Sequence, residues 1–225
     1  MGNFRAVLFD FDGVIGKTLE DNTRAWTLAC RELGVPFDPE EFLLAEGMKS
    51  AEFASRLLAR HGREVAEVET LIDRKNELYR SHNQFSIYPG VEKLVKRLRE
   101  SGVKVGVVSG GGRERLLSGR AGDLLRSCDT VVTGDELTHG KPNPEAYQRA
   151  AEALKVSPAE CLVVENAPLG IQSAKSAGMS CIGICSTLSG DHLRRADRVV
   201  ADHAELVSVL DAASLARGVV TDREP

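Results

Sequence analysis

The 225-residue sequence predicts an α/β fold: a Rossmann-like parallel sheet core with an inserted α-helical cap domain. From about residue 85 onward, short apolar runs alternate with amphipathic segments. Continuous apolar runs are typical of parallel strands that helices cover on both faces. Residues 16–84 contain helical patterns and no convincing strand. We therefore expect the core to comprise residues 1–15 and 85–225, and the cap to comprise residues 16–84.

Six apolar runs predict the strands of the sheet. In chain order they are AVLFD (6–10), VKVGVVS (103–109), DTVVT (129–133), CLVVE (161–165), CIGI (181–184) and RVVA (198–201). Helical patterns separate the later runs, for example VEKLVKRLRES before Gly102 and PLGIQSAKSAG up to Gly178. A third pattern, PEAYQRAAEALKV, follows Asn143 and has Pro144 at its predicted first helical position.

Four amphipathic patterns predict the helices of the cap. They are NTRAWTLACRELG, PEEFLLAEG, SAEFASRLLARHG and EVETLIDRKNELYRSH. Because their apolar residues recur at helical spacing, each is expected to bury one face against the others.

The composition narrows the possible partners. The net charge of −4 and the pI of about 5.8 argue against nucleic-acid binding, which usually requires a basic surface. No apolar run approaches the ~20 residues of a membrane span, and no secretion signal is evident. We therefore expect a cytoplasmic protein without a membrane partner. The sequence does not reveal the oligomeric state, for which a monomer or weak dimer is the default expectation. The five cysteines are scattered, which favours reduced thiols over disulfides or a zinc site.

Polar side chains and glycines follow four of the predicted strands. In chain order they are Asp10 and Asp12, Ser109 and Gly110, Lys141, and Glu165 and Asn166. The carboxyl ends of parallel strands meet at one edge of a sheet, where ligands bind in such folds. We therefore expect these residues to converge.

These residue types together suit phosphoryl transfer. Carboxylate and amide oxygens are ligands for Mg²⁺, and a serine beside a glycine run suits phosphate oxygens. A lysine adds fixed positive charge, and an aspartate can accept the phosphoryl group as an aspartyl-phosphate. Each group alone also has an ordinary structural explanation, such as a turn, a solvated side chain or a helix cap. Their joint position at strand ends favours the functional interpretation.

Two other phosphate motifs do not fit the sequence. No GxGxxG follows a strand. The stretch from Gly134 to Gly140 and Lys141 differs from a P-loop, because five residues separate the glycines and Pro142 replaces the metal-binding Ser or Thr.

Four motifs resemble those of the haloacid dehalogenase (HAD) superfamily. They are FDFDG, VVSGG, GKPNPEAY and VVENAPLGIQSAKSAGM, in the order that the superfamily has. The helical insertion resembles the cap of subfamily IA, which includes phosphoglycolate phosphatase-like and β-phosphoglucomutase-like enzymes. The resemblance extends over nearly the whole chain.

The resemblance implies a role for each motif residue. Asp10 would take the phosphoryl group, while Asp12 would protonate the leaving oxygen and then activate water. Ser109 and Gly110 would hold the phosphate, and Lys141 would steady the phosphate and Asp10. The implied Mg²⁺ ligands are Asp10, Asp12 through its backbone carbonyl, Glu165 and Asn166. An acid at position 12 also favours phosphate esters over the substrates of dehalogenases and phosphonate hydrolases.

The sequence departs from the family pattern in the fourth motif and in the cap. Asn166 stands where Asp is usual, so we expect weaker Mg²⁺ binding. Asn22 stands where mutases have a histidine. Ser50, with Lys49 adjacent, stands where they have an arginine. Lys75 and Asn76 match a substrate-facing pair of β-phosphoglucomutase, although an ordinary polar helix face would explain them equally well.

These departures favour a phosphatase over a mutase. The predicted function is Mg²⁺-dependent hydrolysis of a small phosphorylated metabolite, of the sugar phosphate or phosphoglycolate type. A β-phosphoglucomutase-like phosphosugar mutase is the first alternative. A catalytically weak sensor of phosphate ligands, which only Asn166 supports, is an alternative of another class.

Overall fold

The protein contains one six-stranded parallel sheet, as a computed structural model that describes residues 4–118 and 121–218 shows. The strands are β1 (Ala6–Asp10), β2 (Lys104–Val108), β3 (Thr130–Val132), β4 (Cys161–Glu165), β5 (Ser180–Ile184) and β6 (Arg198–Val200). Their order is β3-β2-β1-β4-β5-β6, and every neighbouring pair is parallel. All six predicted strands and the α/β fold class are confirmed.

Strand β1 shows why the runs are apolar throughout. Val7 and Phe9 belong to the hydrophobic cluster on one face of the sheet, and Ala6 and Leu8 belong to the cluster on the other. Side chains alternate between the faces of a strand, so a strand covered on both faces needs apolar residues at every position. The central strand is therefore completely buried.

The α-helices account for most of the remaining described residues. They are α1 (Leu19–Glu32), α2 (Pro39–Leu44), α3 (Ser50–Arg60), α4 (Glu67–His82), α5 (Val91–Glu100), α6 (Arg113–Ser118), α7 (Gly122–Ser127), α8 (Glu145–Leu154), α9 (Pro168–Ser176) and α10 (His203–Gly218). Helix α8 begins one residue later than predicted. Pro144 lies just before the helix, and the side-chain oxygen of Asn143 accepts the N–H of Glu145.

Helices α1 to α4 share a third hydrophobic cluster, separate from the two on the sheet. Trp26 is its largest fully buried side chain, and its ring meets that of Phe53 edge-on at 5.2 Å. A set of helices with its own core is consistent with a cap, and the domain boundaries at residues 16 and 84 stay a prediction.

The structure also bears on membrane-spanning helices and on the state of the cysteines. None of the helices in residues 4–118 and 121–218 is long and apolar enough to cross a membrane. The five cysteines are free thiols, and Cys30, Cys161 and Cys181 are buried.

Candidate active site

Three neighbouring strands end at the candidate site. Strand β1 lies between β2 and β4, and successive strands are added outward from it in opposite directions, β2 and β3 on one side and β4 to β6 on the other. Asp10 is the last residue of β1, Ser109 follows β2 directly, and Glu165 is the last residue of β4. This is the topological switch point at which open parallel sheets bind ligands. The fold therefore brings together residues that are far apart in the sequence.

Lys141 links two of these carboxylates. Its Nζ donates to Oδ1 of Asp10 and, at 2.6 Å, to Oε1 of Glu165. All three side chains are buried. Burial acts to lower the pKa of Lys141, but the two carboxylates outweigh it and raise this pKa above its ordinary value. Lys141 is thus a fixed cation at the centre of the site.

The oxygens of Glu165 are occupied by protein donors. Besides Lys141, Oε1 accepts the hydroxyl of Tyr147 at 2.7 Å, and Oε2 accepts the backbone N–H groups of Asn166 and Ala167. Gly170 makes room for this carboxylate, because a Cβ at that position would overlap it. The arrangement fixes Glu165 as a partner of Lys141.

Two other oxygens near the strand ends are free. Oδ2 of Asp10 and Oδ1 of Asn166 are buried and accept no hydrogen bond from any residue that the structure describes. The amide nitrogen of Asn166 donates to Thr187 at 3.0 Å, which fixes the orientation of the amide. Burial raises the pKa of Asp10 well above its ordinary value, and Lys141 opposes this. A cation at Oδ2 would favour the ionised form of Asp10.

A hard divalent cation fits these two oxygens. Within residues 4–118 and 121–218, no three His, Cys, Asp or Glu side chains form a metal-binding group by themselves. Mg²⁺, however, often takes one or two carboxylates and completes its shell with water and phosphate oxygens. An orphaned carboxylate oxygen and an orphaned amide oxygen provide such a partial set.

Asp12 is held by three side chains. Its Oδ1 accepts Thr18 at 2.6 Å, and its Oδ2 accepts Ser109 at 3.2 Å. Arg115 binds both oxygens, at 3.0 and 2.7 Å. Burial acts to raise the pKa of Asp12, but Arg115 outweighs it and lowers this pKa to about 2. Asp12 is therefore an ionised carboxylate in this arrangement.

Arg115 is the main site residue that the sequence reasoning missed. Its guanidinium carbon lies 5.9 Å from the ring of Phe11 and 5.8 Å from that of Tyr79, so it is held between core and cap. Helix α6 has only six residues, too few for its hydrophobic pattern to reveal the inward face. The nearest signal is the arginine-rich GRER that follows the second motif.

A cavity of about 1170 Å³ opens beside Asp12, between the sheet edge and the cap helices. Gly110, Lys49, Lys75 and Asn76, which the sequence predicted as substrate-binding, all contribute to its wall. The Lys49 Nζ donates to the carbonyl of Leu137 at 2.5 Å, so this lysine contacts a core loop.

Lys75 is the most buried cation on the cap side of the cavity, with 8% of its surface exposed. Its Nζ lies 5.4 Å from the Trp26 ring and 5.6 Å from the Tyr79 ring. Burial, together with Arg115, lowers its pKa to about 8. Lys75 and Asn76 thus do face the cavity, whereas the adjacent Arg74 pairs with Glu32 on the surface.

The loop between α2 and α3 contacts the core directly. The carbonyl of Gly47 accepts the backbone N–H of Lys141 at 3.1 Å. A Cβ on Gly47 would lie 2.6 Å from the Lys141 side chain. The neighbouring Glu46 lines the cavity, and burial, reinforced by Asp12, raises its pKa to about 7. The sequence analysis did not identify this carboxyl.

Comparisons with known proteins agree with this geometry. Residues 4–178 match the family model of haloacid dehalogenase-like hydrolases. The chain is 31% identical to validoxylamine A 7'-phosphate phosphatase of Streptomyces hygroscopicus subsp. limoneus, over 90% of this chain and 96% of that protein. It is also 31% identical to β-phosphoglucomutase of Bacillus subtilis (strain 168), over 90% and 91% of the two chains.

A solved structure supports the fold. The crystal structure of a hydrolase from Pseudomonas syringae superposes with a TM-score of 0.83 at 24% identity, covering 92% of this chain and 98% of that one. The family match spans most of the chain and includes the first three motifs and all but the last residue of the fourth. The chain is therefore an enzyme of the haloacid dehalogenase-like hydrolase family.

Proposed function

We propose that this enzyme is a Mg²⁺-dependent phosphatase of a small phosphorylated metabolite, of the sugar phosphate or phosphoglycolate type. The observation that carries the proposal is the group at the ends of β1 and β4. Lys141 neutralises one oxygen of Asp10, while the other oxygen is left free beside a strand end that carries a second free oxygen, on Asn166. A buried acceptor without a donor is costly unless a ligand satisfies it.

Each residue then has a part in the reaction. Asp10 attacks the phosphorus and forms an aspartyl-phosphate as the ester oxygen leaves. Asp12 is ionised while Arg115 holds it, so it must first lose that contact and take up a proton, which it then gives to the leaving oxygen. It later takes a proton back from the water that hydrolyses the aspartyl-phosphate. Ser109 and Gly110 hold phosphate oxygens, and Lys141 balances the charge of the phosphoryl group. Glu165 acts by orienting Lys141.

The cation would be held by Oδ2 of Asp10, Oδ1 of Asn166 and the backbone carbonyl of Asp12. When bound, Mg²⁺ supplies positive charge that offsets the charge of the phosphoryl group. The oxygens of Glu165 are already engaged with protein donors, so we assign it no direct contact with the metal.

The relatives support both a phosphatase and a mutase. One relative is named as a phosphatase of a phosphorylated small molecule, and another as a β-phosphoglucomutase, at equal identity. The cap favours the phosphatase, because Asn22 and Ser50 replace the histidine and arginine expected of mutases. The mutase remains the second candidate because Lys75 and Asn76 line the cavity.

The test is phosphate release from a panel of phosphorylated metabolites, with Mg²⁺ or with EDTA. We expect Mg²⁺-dependent release that disappears in Asp10→Asn. As a matched control, Asp129→Asn removes a carboxylate that accepts the N–H of Val105, at the opposite end of β2. This control should retain activity if it folds normally by circular dichroism.

The alternatives predict different results. A mutase would release little phosphate and would interconvert glucose 1-phosphate and glucose 6-phosphate when primed with a bisphosphate. A sensor would bind phosphate ligands without turnover above that of Asp10→Asn. Either result would contradict the phosphatase proposal.

A further inference from the structure

Arg115 binds both carboxylate oxygens of Asp12, the residue that the proposed reaction needs as its acid and base. Thr18, Ser109 and both terminal nitrogens of Arg115 engage the two oxygens of Asp12. With these donors in place, Asp12 has little remaining capacity to bond a leaving oxygen or a water molecule. Turnover therefore requires the guanidinium to move or to exchange its partner.

An anion is the partner best suited to replace Asp12 on Arg115. A bidentate pair between a guanidinium and a carboxylate is among the stronger hydrogen-bonded contacts in proteins. A neutral hydroxyl offers neither the charge nor the two parallel acceptors. A carboxylate or phosphate on the substrate offers both.

Lys75 supplies a second cation to the same cavity wall. Within the part of the chain that the structure describes, no carboxylate lies at ion-pair distance from its ammonium group, which lies over the rings of Trp26 and Tyr79. Tyr79 also packs against Arg115, so the two cations share one aromatic neighbour. A cation that is more than nine-tenths buried without a counter-ion indicates an anionic ligand.

The carboxyl of Glu46 is the opposing charge on the cap side of the cavity. Burial and Asp12 raise its pKa to about 7, so its negative charge is reduced near neutral pH. This cap carboxyl therefore opposes Lys75 and Arg115 with less than a full negative charge.

We propose that Arg115 and Lys75 form a subsite for an anionic group on the leaving-group part of the substrate, a carboxylate or a second phosphate. This anion replaces Asp12 as the hydrogen-bond partner of Arg115, which leaves the Asp12 carboxylate available to act on the leaving oxygen. The proposal rests on the proposed function, and it defines the substrates as small molecules that carry an anion besides the phosphate that is removed. Arg115 is a specificity-determining residue in this scheme.

The test compares substrates that differ in the second anion. 6-Phosphogluconate and sorbitol 6-phosphate have the same carbon skeleton, and only the first carries a carboxylate at the far end. Fructose 1,6-bisphosphate and fructose 6-phosphate provide the corresponding phosphate pair. We expect the wild type to prefer the member with the second anionic group, in at least one pair, by about tenfold or more in kcat/KM, the value of one charge-assisted contact.

Variants then assign the preference to residues. Lys75→Met should reduce the preference to within about threefold, chiefly through KM. Arg115→Gln should reduce it as much, through both kcat and KM, because it also releases Asp12 when no second anion is present, and Arg115→Lys should restore part of the preference. Arg113→Gln is the matched control, because Arg113 lies on the same helix and instead contacts Val131 and Glu136. It should retain the wild-type preference.

Binding to the Asp10→Asn variant, measured by calorimetry, gives a readout that needs no turnover. It should show tighter binding of the ligand that carries the second anionic group, and this difference should be lost when Arg115→Gln is added. Equal wild-type rates within both pairs, or an equal loss on both members in Arg115→Gln, would overturn the subsite. Those results would contradict the subsite proposal but not the phosphatase proposal. Absence of Mg²⁺-dependent phosphate release from every ester would contradict the phosphatase proposal itself.

Discussion

Asn166 contributes a neutral amide to a site whose other proposed metal-binding side chain is a carboxylate. Its Oδ1 is free and its nitrogen is held by Thr187, so it can offer one oxygen but no net charge. Asn166→Asp adds a charge at about the same position, and we expect tighter Mg²⁺ binding by about three- to tenfold. Calorimetry without substrate measures this directly. Unchanged or weaker binding would contradict the assignment of Asn166 as a ligand.

Lys75 should destabilise the fold near neutral pH. Its pKa is lowered from 10.5 to about 8, so between these pH values the unfolded chain binds more protons and stability rises with pH. Lys75→Met removes the buried charge. We expect it to raise the free energy of unfolding at pH 7 by up to about 3 kcal/mol, a gain that shrinks as pH rises above 8.

Urea unfolding at pH 7 and pH 9.5 tests this expectation. Lys96→Met, which replaces a lysine that is 76% exposed, is the control and should change stability little at either pH. A gain for Lys75→Met that is the same at both pH values would indicate better packing and not relief of a buried charge.

At the level of elements, the sequence predicts the sheet well because burial on both faces leaves little choice of residue. The six strands were identified from apolar runs alone, and the residues after β1, β2 and β4 were correctly expected to converge. Helices α6 and α7 were not identified, since six residues give under two turns of periodicity. Arg115 lies on α6 and was missed for the same reason. Its contact with Asp12 joins residues that are far apart in the sequence, so only the tertiary fold reveals it.

Gly170 lets helix α9 approach the Glu165 carboxylate closely. A Cβ at this position would overlap the carboxylate of Glu165, which is held by Lys141, Tyr147 and two backbone N–H groups. We expect Gly170→Ala to lower the free energy of unfolding by about 1–3 kcal/mol, despite the better helix propensity of alanine. It should also lower kcat, because Glu165 orients Lys141.

Chemical denaturation and steady-state kinetics measure the two effects. Gly190→Ala is the control, since a Cβ there makes only ordinary contacts, at 3.5 Å or more. If Gly170→Ala behaved like the control in both measurements, the close approach of α9 to Glu165 would have no energetic importance.

At the scale of the whole molecule, cap and core meet at Lys141, the lysine proposed to act in catalysis. Gly47 accepts the N–H of Lys141, and the Lys49 ammonium bonds Leu137 on the same core loop. The contact joins the loop that follows α2 to the residue that neutralises Asp10. We therefore expect closure of the cap over a substrate to depend on the same few atoms as completion of the site, which would couple exclusion of water to catalysis.

Gly47→Ala should break this coupling. The residue has φ +91°, and a Cβ would lie 2.6 Å from the Lys141 side chain, so the loop must withdraw or Lys141 must shift. Gly34→Ala is the matched control, because Gly34 is also in the cap at φ +68° but has no atom within 4 Å of the added Cβ. Both variants incur backbone strain of about 1 kcal/mol.

Only Gly47→Ala disturbs the contact with the core, so it alone should lower kcat/KM, by about a hundredfold. Equal kinetics in the two variants, with equal melting temperatures, would mean that the cap does not dock on Lys141 during turnover.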